Sequence, residues 1–385
     1  MKPLFAVLVA AAGMIVPFQA VVSGSTAVAA DAPSCATFAS KATIKGTSGR
    51  DHLVGTSGID VIYGYGGNDT IEGRGGVDII CGGTGNDTIR DGKGNDIVFS
   101  EGKVSGYGFT DSYPTLTDPA GPVSSPRKRG DLIIAGPGND RYFGQFVIDY
   151  RNANQRIQAD LGLHGAIGLG RDYLESAKVF FGSKYRDRVK GSGGADVIYG
   201  RGGKDGIAGA DGNDNIDAGP GHDVVVAGTG ADVVHGAGDA VRLGRGNDVA
   251  VLLGGALEGG IGRDTLITSK KVTDFKGGPG SDILNLFGWT EPVVVDLTAN
   301  TASSGPVHHV ENVIGSRYDD TITGDDTKNT LLGGRGDDTL FGKANDDILW
   351  GNSPWADPQN GDFAYGGPGF DQCDGVLPLA CEVSP

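Results

Sequence analysis

The sequence predicts an all-β solenoid of short stacked rungs, and three observations carry that prediction. Acidic residues recur at every ninth position without a slip, at Asp51, Asp60, Asp69, Asp78, Asp87 and Asp96, and again at Asp187, Asp196, Asp205, Asp214, Asp223 and Asp232. Two residues after each stands an aliphatic side chain, Leu53, Ile62, Ile71, Ile80, Ile89 and Val98 in the first run and Val189, Ile198, Ile207, Ile216, Val225 and Val234 in the second. Glycine supplies 69 of 385 residues, about 18% against the roughly 7% of ordinary chains. A fixed short period marks a repeat architecture, in which each unit buries its apolar residue only by stacking on its neighbours.

The unit is Gly-x-x-Gly-x-Asp-x-aliphatic-x, and its fullest copy is Gly82-Gly83-Thr84-Gly85-Asn86-Asp87-Thr88-Ile89-Arg90. Its chemistry points to a cation. A hard cation such as calcium takes six to eight oxygens at roughly 2.3–2.6 Å from carboxylates and carbonyls. Glycine turns through positive φ and brings carbonyls within reach, and the Asp adds charge. Weathered copies follow at Asp131 and Asp140, Asp239 and Asp248, Asp264 and Asp282, then Asp320, Asp338, Asp347, Asp362 and Asp371. Thr273 and Asn329 take the Asp slot in two further copies.

This nonapeptide resembles the RTX, or hemolysin-type calcium-binding, repeat, over roughly residues 46–99, 131–144, 187–285 and 320–375. The resemblance implies a right-handed parallel β-roll with two repeats per turn, six residues forming each loop and three each strand. Calcium would sit between loops eighteen residues apart. The expected pairs are Asp51 with Asp69, Asp60 with Asp78, Asp69 with Asp87, Asp78 with Asp96, Asp187 with Asp205, Asp196 with Asp214, Asp205 with Asp223, Asp214 with Asp232, Asp264 with Asp282 and Asp320 with Asp338. Up to about ten calcium ions follow, with Asp347 as a further ligand and folding coupled to binding. Thr56, Tyr65 and Arg74 depart from glycine at the second loop position and are expected to alter local affinity. Asp239 has no motif Asp eighteen residues before it and Leu257 after it, so it is expected to matter less than Asp205.

Residues 1–30 read as a cleaved secretory signal: Lys2, an apolar run from Leu4 to Val16, then small residues ending in Ala29-Ala30. The chain carries −16, and removing that segment takes one of 32 basic residues and none of 48 acidic ones, leaving −17. Such a balance disfavours nucleic acid as a partner. No later segment is apolar enough to span a membrane, so a secreted, extracellular protein is expected. It resembles the secreted calcium-binding repeat proteins of actinobacteria more than the toxin and protease branches of the family. The toxin and protease branches commonly use an uncleaved C-terminal export signal, which this cysteine-closed C-terminus does not suggest.

The remaining segments are an N-terminal cap at 31–45, the repeat block 46–99, a Pro-, Gly- and Ser-rich loop at 100–130, a short repeat segment at 131–144 and spacer rungs at 145–186. A second block at 187–285, spacer rungs at 286–319, and a third block with C-terminal cap at 320–385 complete the chain. Arg127-Lys128-Arg129 reads as a solvated loop. Four cysteines allow three pairings, of which Cys35 with Cys81 and Cys373 with Cys381 are expected from their placement. Catalytic signatures are not found: His308-His309 is followed by Val-Glu, and no nucleophile elbow or phosphate loop occurs. The expected role is structural or adhesive and non-enzymatic. The alternative is a β-helical polysaccharide lyase or epimerase whose catalytic cluster lies in 171–190. Lys178, Lys184, Arg186, Arg188 and Lys190 form a basic island there, read as a solvated face, with an acidic polysaccharide or cell surface as the rival ligand.

Overall fold

The computed structural model describes residues 35–101, 130–237, 239–269, 272–352 and 361–374. The leader, Arg127-Lys128-Arg129, Trp355 and Cys381 lie outside those residues. Most rungs are three-residue strands such as Val61–Tyr63, Thr70–Glu72, Ile79–Cys81 and Thr88–Arg90. Each pairs in parallel with the next strand but one: Leu53 lies beside Ile71 and Ile71 beside Ile89, while Ile62 lies beside Ile80 and Ile80 beside Val98. Successive strands therefore alternate between two sides of a β-solenoid, as the nonapeptide predicts. Helical structure among the described residues is confined to Cys35–Phe38 and the 3-10 turn Ala39–Lys41.

Side-chain alternation explains why one aliphatic per repeat suffices. In a three-residue strand the central residue faces one way and its neighbours the other, so Ile62 and Ile71 are buried while the residues flanking them are half-exposed. Stacked turns align these centres into one continuous core running from Leu53 to Ala364. Each such burial contributes about 2 kcal/mol. β-Branched residues suit the pleated, half-buried surface.

The turn length departs from eighteen residues at several points. Ile89 pairs with Ile133 and Val98 with Tyr142, so the excursion at 100–130 is inserted without shifting the register on either side. Two antiparallel ribbons interrupt the parallel pattern, Gln158–Asp160 with Gly165–Ile167 and Val294–Asp296 with Thr301–Ala302. Between 223 and 264 the turn shortens to 16 residues, placing Val225 beside Val241, Val234 beside Ala250 and Val241 beside Leu257. This corrects the expectation for Asp239, whose partners stand sixteen residues away and not eighteen.

The Cys35–Cys81 disulfide forms, with a Cα–Cα distance of 5.7 Å. It fastens the N-terminal helix to an outer face, where Cys35, Cys81, Phe99 and Phe143 cluster with Phe38 and Tyr63. Cys373 is also disulfide-bonded; its expected partner Cys381 lies outside the described residues. Trp350 packs against a second outer cluster of Ile283, Phe287, Ile314 and Leu332, and Trp289 packs on the central core.

Candidate metal centres in the stacked loops

In each repeat the chain leaves the strand, turns through the Gly-rich loop and returns with the Asp side chain folded inside. One carboxylate oxygen, Oδ1, accepts a hydrogen bond from the backbone N–H of the Asp one turn earlier. The donor-acceptor distance is 2.9 Å from Asp51 to Asp69 and from Asp60 to Asp78, 2.8 Å from Asp69 to Asp87, and 2.7 Å from Asp78 to Asp96. The second block continues from Asp187 to Asp205, Asp196 to Asp214, Asp205 to Asp223 and Asp214 to Asp232 at 2.7–2.9 Å. Asp264 to Asp282 and Asp320 to Asp338 follow at 2.9 and 2.8 Å, and Asp347 accepts from Asn329 at 2.8 Å. The Asp thus satisfies a loop N–H that no strand partner reaches.

The other oxygen is left over. Oδ2 of Asp69, Asp78, Asp87, Asp96, Asp205, Asp214, Asp223, Asp232, Asp264, Asp282, Asp338 and Asp347 is buried with no hydrogen-bond partner. A buried, unpaired carboxylate oxygen is costly unless something positive meets it. Its surroundings supply more oxygen. A Cβ placed on Gly64 would stand 2.6 Å from Asp69 Oδ2 and 2.2 Å from the Gly82 carbonyl of the next turn. At Gly333 the same atom would meet Asp338 Oδ2 at 2.3 Å and the Gly351 carbonyl at 2.6 Å. The missing Cβ keeps a space walled by carboxylate and carbonyl oxygens, a donor set that fits a hard cation.

The loops fall into two classes, set by the second loop position. Tyr65, Arg74, Arg201, Ala210 and Lys343 occupy it at φ between 71° and 92°, and Gly83, Gly92, Gly219, Gly228, Gly244, Gly260, Gly278, Gly334 and Gly367 also have positive φ. In every one of these loops the following Asp keeps a partnerless Oδ2. Thr47, Thr56, Ser183, Ser192, Ser316 and Asp325 take the same position without positive φ. There the backbone N–H turns onto the loop's own carboxylate: Thr47 and Thr56 N–H each donate to Oδ2 of Asp51 and Asp60 at 2.6 Å, with the hydroxyls adding a bond at 2.9 Å. Ser183 and Ser316 cap Asp187 and Asp320 likewise through N–H and hydroxyl, Ser192 caps Asp196 through its N–H, and Asp325 N–H caps the Asn329 amide oxygen at 2.8 Å. Tyr65 and Arg74, read as departures from the repeat, therefore behave as glycine does; Thr56 does not.

Electrostatics raises carboxylates in both classes, the closed-loop Asp320 to about 6. Burial, opposed by the backbone hydrogen bond and reinforced by the carboxylates one turn away, pushes Asp87, Asp205, Asp214, Asp264 and Asp282 up to about 7 and Asp338 to about 8. Asp78, Asp96, Asp223, Asp232 and Asp347 rise to about 6 for the same reason. Stacked, desolvated carboxylates resist ionising together unless a cation lies between them.

The ladders reach further than the predicted ligands. Asp87 donates to Asp131 and Asp96 to Asp140 across the insertion, and Asp140 in turn to Asp172. Asp223 donates to Asp239, Asp232 to Asp248 and Asp248 to Asp264 in the sixteen-residue turns. Asp282 donates to Glu311 Oε2, Asp338 to Asp362 and Asp347 to Asp371. Asp172 and Glu311 are each followed two residues later by an aliphatic, Leu174 and Val313, a signal that survives the loss of the glycines. Within the basic island Lys190 Nζ stands 3.6 Å from Asp160, and the Lys178 charge acts on Asp196.

The family model of the RTX calcium-binding nonapeptide repeat matches residues 45–80, 75–102, 181–216, 208–243, 217–250, 310–340 and 323–353. No curated protein matches the chain. Among solved structures, a hyperactive, Ca2+-dependent, β-helical antifreeze protein from an Antarctic bacterium is similar at 19% identity and a TM-score of 0.22, covering 78% of this chain and 85% of its own.

Proposed function

We propose that this chain, a calcium-binding protein of RTX nonapeptide repeats, is a secreted, non-catalytic scaffold whose solenoid is completed by calcium and whose role is structural or adhesive. The rows of buried, partnerless Oδ2 atoms facing the carbonyls of the next turn carry this reading. Calcium is assigned to stacked pairs in which both loops are open, such as Asp69 with Asp87, Asp78 with Asp96, Asp205 with Asp223, Asp214 with Asp232 and Asp264 with Asp282. The pairs Asp51 with Asp69, Asp60 with Asp78, Asp187 with Asp205, Asp196 with Asp214 and Asp320 with Asp338 each include one self-capped loop, and are assigned weaker binding.

Calcium titration followed by far-UV circular dichroism tests the reading. A cooperative gain of β signal is expected; identical spectra in excess chelator and in calcium would overturn it. Secretion is tested by the N-terminus of exported material, expected at Asp31 or Ala30, with Met1 as the contrary result. Incubation with acidic polysaccharides addresses both the surface and the enzyme: binding without new reducing ends or unsaturated products supports the scaffold.

A further inference from the structure

Where the first block meets the insertion, one loop carries a carboxylate that the repeat does not prescribe. Asp91 takes the first loop position, held by Gly64, Gly73 and Gly82 in the preceding loops. It is fully buried, as are Asp96 and Asp140. One ligand-capable oxygen from each of the three lies within 4.8 Å of the others. Asp91 Oδ1 accepts from the N–H groups of Gly92 and Gly136, both at 2.7 Å, which fixes the carboxylate across the two turns that flank the insertion. Its Oδ2 accepts from the Tyr142 hydroxyl at 2.5 Å, and that hydroxyl stands 3.3 Å from Asp140 Oδ2. Asp96 Oδ2 has no partner at all.

Tyr142 is itself an exception. It fills the inward slot two residues after Asp140, where most rungs carry an aliphatic, and is buried with its hydroxyl among the carboxylates. One phenolic proton serves two of the three acids. The third is left with an oxygen facing like charges in a region without water access, where such repulsion is screened least.

We propose that Asp91 adds a third carboxylate to the ladder pair Asp96 and Asp140, and that the three form a cation site, with the Tyr142 oxygen at its edge, that prefers a hard ion of high charge density. The inference rests on the calcium reading of the loops and departs from it in one respect: three carboxylates converge here where a ladder position joins two. Affinity of an oxygen site for such ions rises with the number of charged ligands. The site should therefore hold calcium more tightly than the ladder and accept a trivalent lanthanide in its place.

The test uses the full mature chain loaded with calcium and titrated with terbium, whose emission is sensitised by an adjacent phenol. The wild type is expected to show an early saturating phase of tyrosine-sensitised emission before the ladder exchanges. Asp91→Gly restores the repeat's own residue and should remove that phase, weakening the first binding step about tenfold or more, while leaving the calcium-induced dichroism transition in place. Asp91→Asn should weaken it as well. Tyr142→Phe should bind the same early terbium equivalent, seen by calcium release, with its emission lost. An early phase unchanged in Asp91→Gly and Asp91→Asn would overturn the site and leave a hydrogen-bonded polar staple in its place. If either Asp91 variant fails to fold, Tyr142→Phe decides: undiminished early emission overturns the proposal. A wild type with no calcium-induced dichroism change would instead sink the scaffold reading, since the terbium phase is read separately.

Discussion

Loop 46–51 and loop 64–69 stack directly on one another on the same side of the solenoid, yet they treat the same buried carboxylate in opposite ways. In the first, Thr47 folds its N–H and hydroxyl onto Asp51. In the second, Tyr65 sits at φ 73°, its N–H makes no bond to the loop's Asp, and Asp69 Oδ2 is left partnerless. Both loops carry Gly, Gly and Asp at matching places. The difference shows that the aspartate alone does not define a metal position: an ordinary φ with a hydroxyl closes the loop internally, and a left-handed φ opens it to a cation. The closed loops are also not scattered. Thr47 and Thr56 open the first block, Ser183 and Ser192 the second, and Ser316 and Asp325 the third, one on each side of the roll. Each block thus begins with a pair of rungs whose loops fold onto their own acid or amide, although Asp196 keeps one buried oxygen unpaired, and in a solenoid of neighbour-only contacts such a pair templates the turns that follow.

The largest effect is expected from converting one class into the other. Gly83→Ser puts a Cβ where φ is 92° and the Tyr65 carbonyl would lie 2.2 Å away. The left-handed conformation costs a non-glycine residue about 1–2 kcal/mol, so the loop should flip to the closed form and take Asp87 out of calcium binding. Isothermal titration should show fewer calcium equivalents than wild type; unchanged stoichiometry would break the comparison. Next in size is Asp205→Ala, which removes an open carboxylate stacked between Asp187 and Asp223 and should raise the calcium midpoint measured by dichroism. Asp239→Ala should now do the same, since Asp223 donates to it at 2.9 Å. Asp187→Ala, in a closed loop, should lower stability with less effect on that midpoint.

How much of this was legible follows from which residues carry period and which carry conformation. The nine-residue spacing of Asp and aliphatic residues sufficed for the strand positions, the core column and the stacking of Asp51 through Asp96, because those depend on register alone. Asp239 and Asp248 escaped the site assignment because the turn loses two residues there, and an eighteen-residue ruler passes over a sixteen-residue step. Glu311 and Asp172 escaped because spacer loops discard the glycines while keeping the acid two residues before the aliphatic. The distinction between Thr56 and Tyr65 was out of reach for a different reason: composition at the second loop position says nothing about φ until the stacked neighbour fixes it.

A smaller, global effect is expected from pH, and its sign depends on calcium. Burial and stacked charge raise Asp205 and Asp214 from an ordinary 3.8 to about 7 and Asp223 and Asp232 to about 6. A carboxyl whose folded value lies above its unfolded one favours the fold fully below the unfolded value and loses that contribution as pH rises through the folded one. Without calcium, residual β signal should therefore fall as pH climbs from about 4 to above 7. With saturating calcium, protons and metal compete for the same oxygens, and stability should rise over that window. Parallel trends in chelator and in calcium would show that the open carboxylates are not the metal ligands.

The smallest effect belongs to a closed loop and sharpens the comparison by being indifferent to calcium. Ser183 Oγ donates to Asp187 Oδ1 at 2.8 Å and accepts from Tyr185 N–H at 3.0 Å, while Asp187 also receives the Ser183 N–H at 2.6 Å and the Ile157 N–H at 2.7 Å. Ser183→Ala removes one of three donors to the carboxylate and strands the Tyr185 N–H, so a loss of about 1 kcal/mol is expected, the usual cost of a lost hydroxyl cap. Because the two backbone donors remain and alanine keeps the ordinary φ, the loop stays closed. Urea unfolding at saturating calcium should show that loss, and the calcium midpoint should not move. Ser183→Gly removes the same hydroxyl but frees φ, allowing the second position to turn left-handed as Gly83 does. If Ala and Gly both gain calcium, the hydroxyl alone maintains the closed loop; if only Gly gains calcium, the backbone conformation at the second position is what assigns a rung to metal.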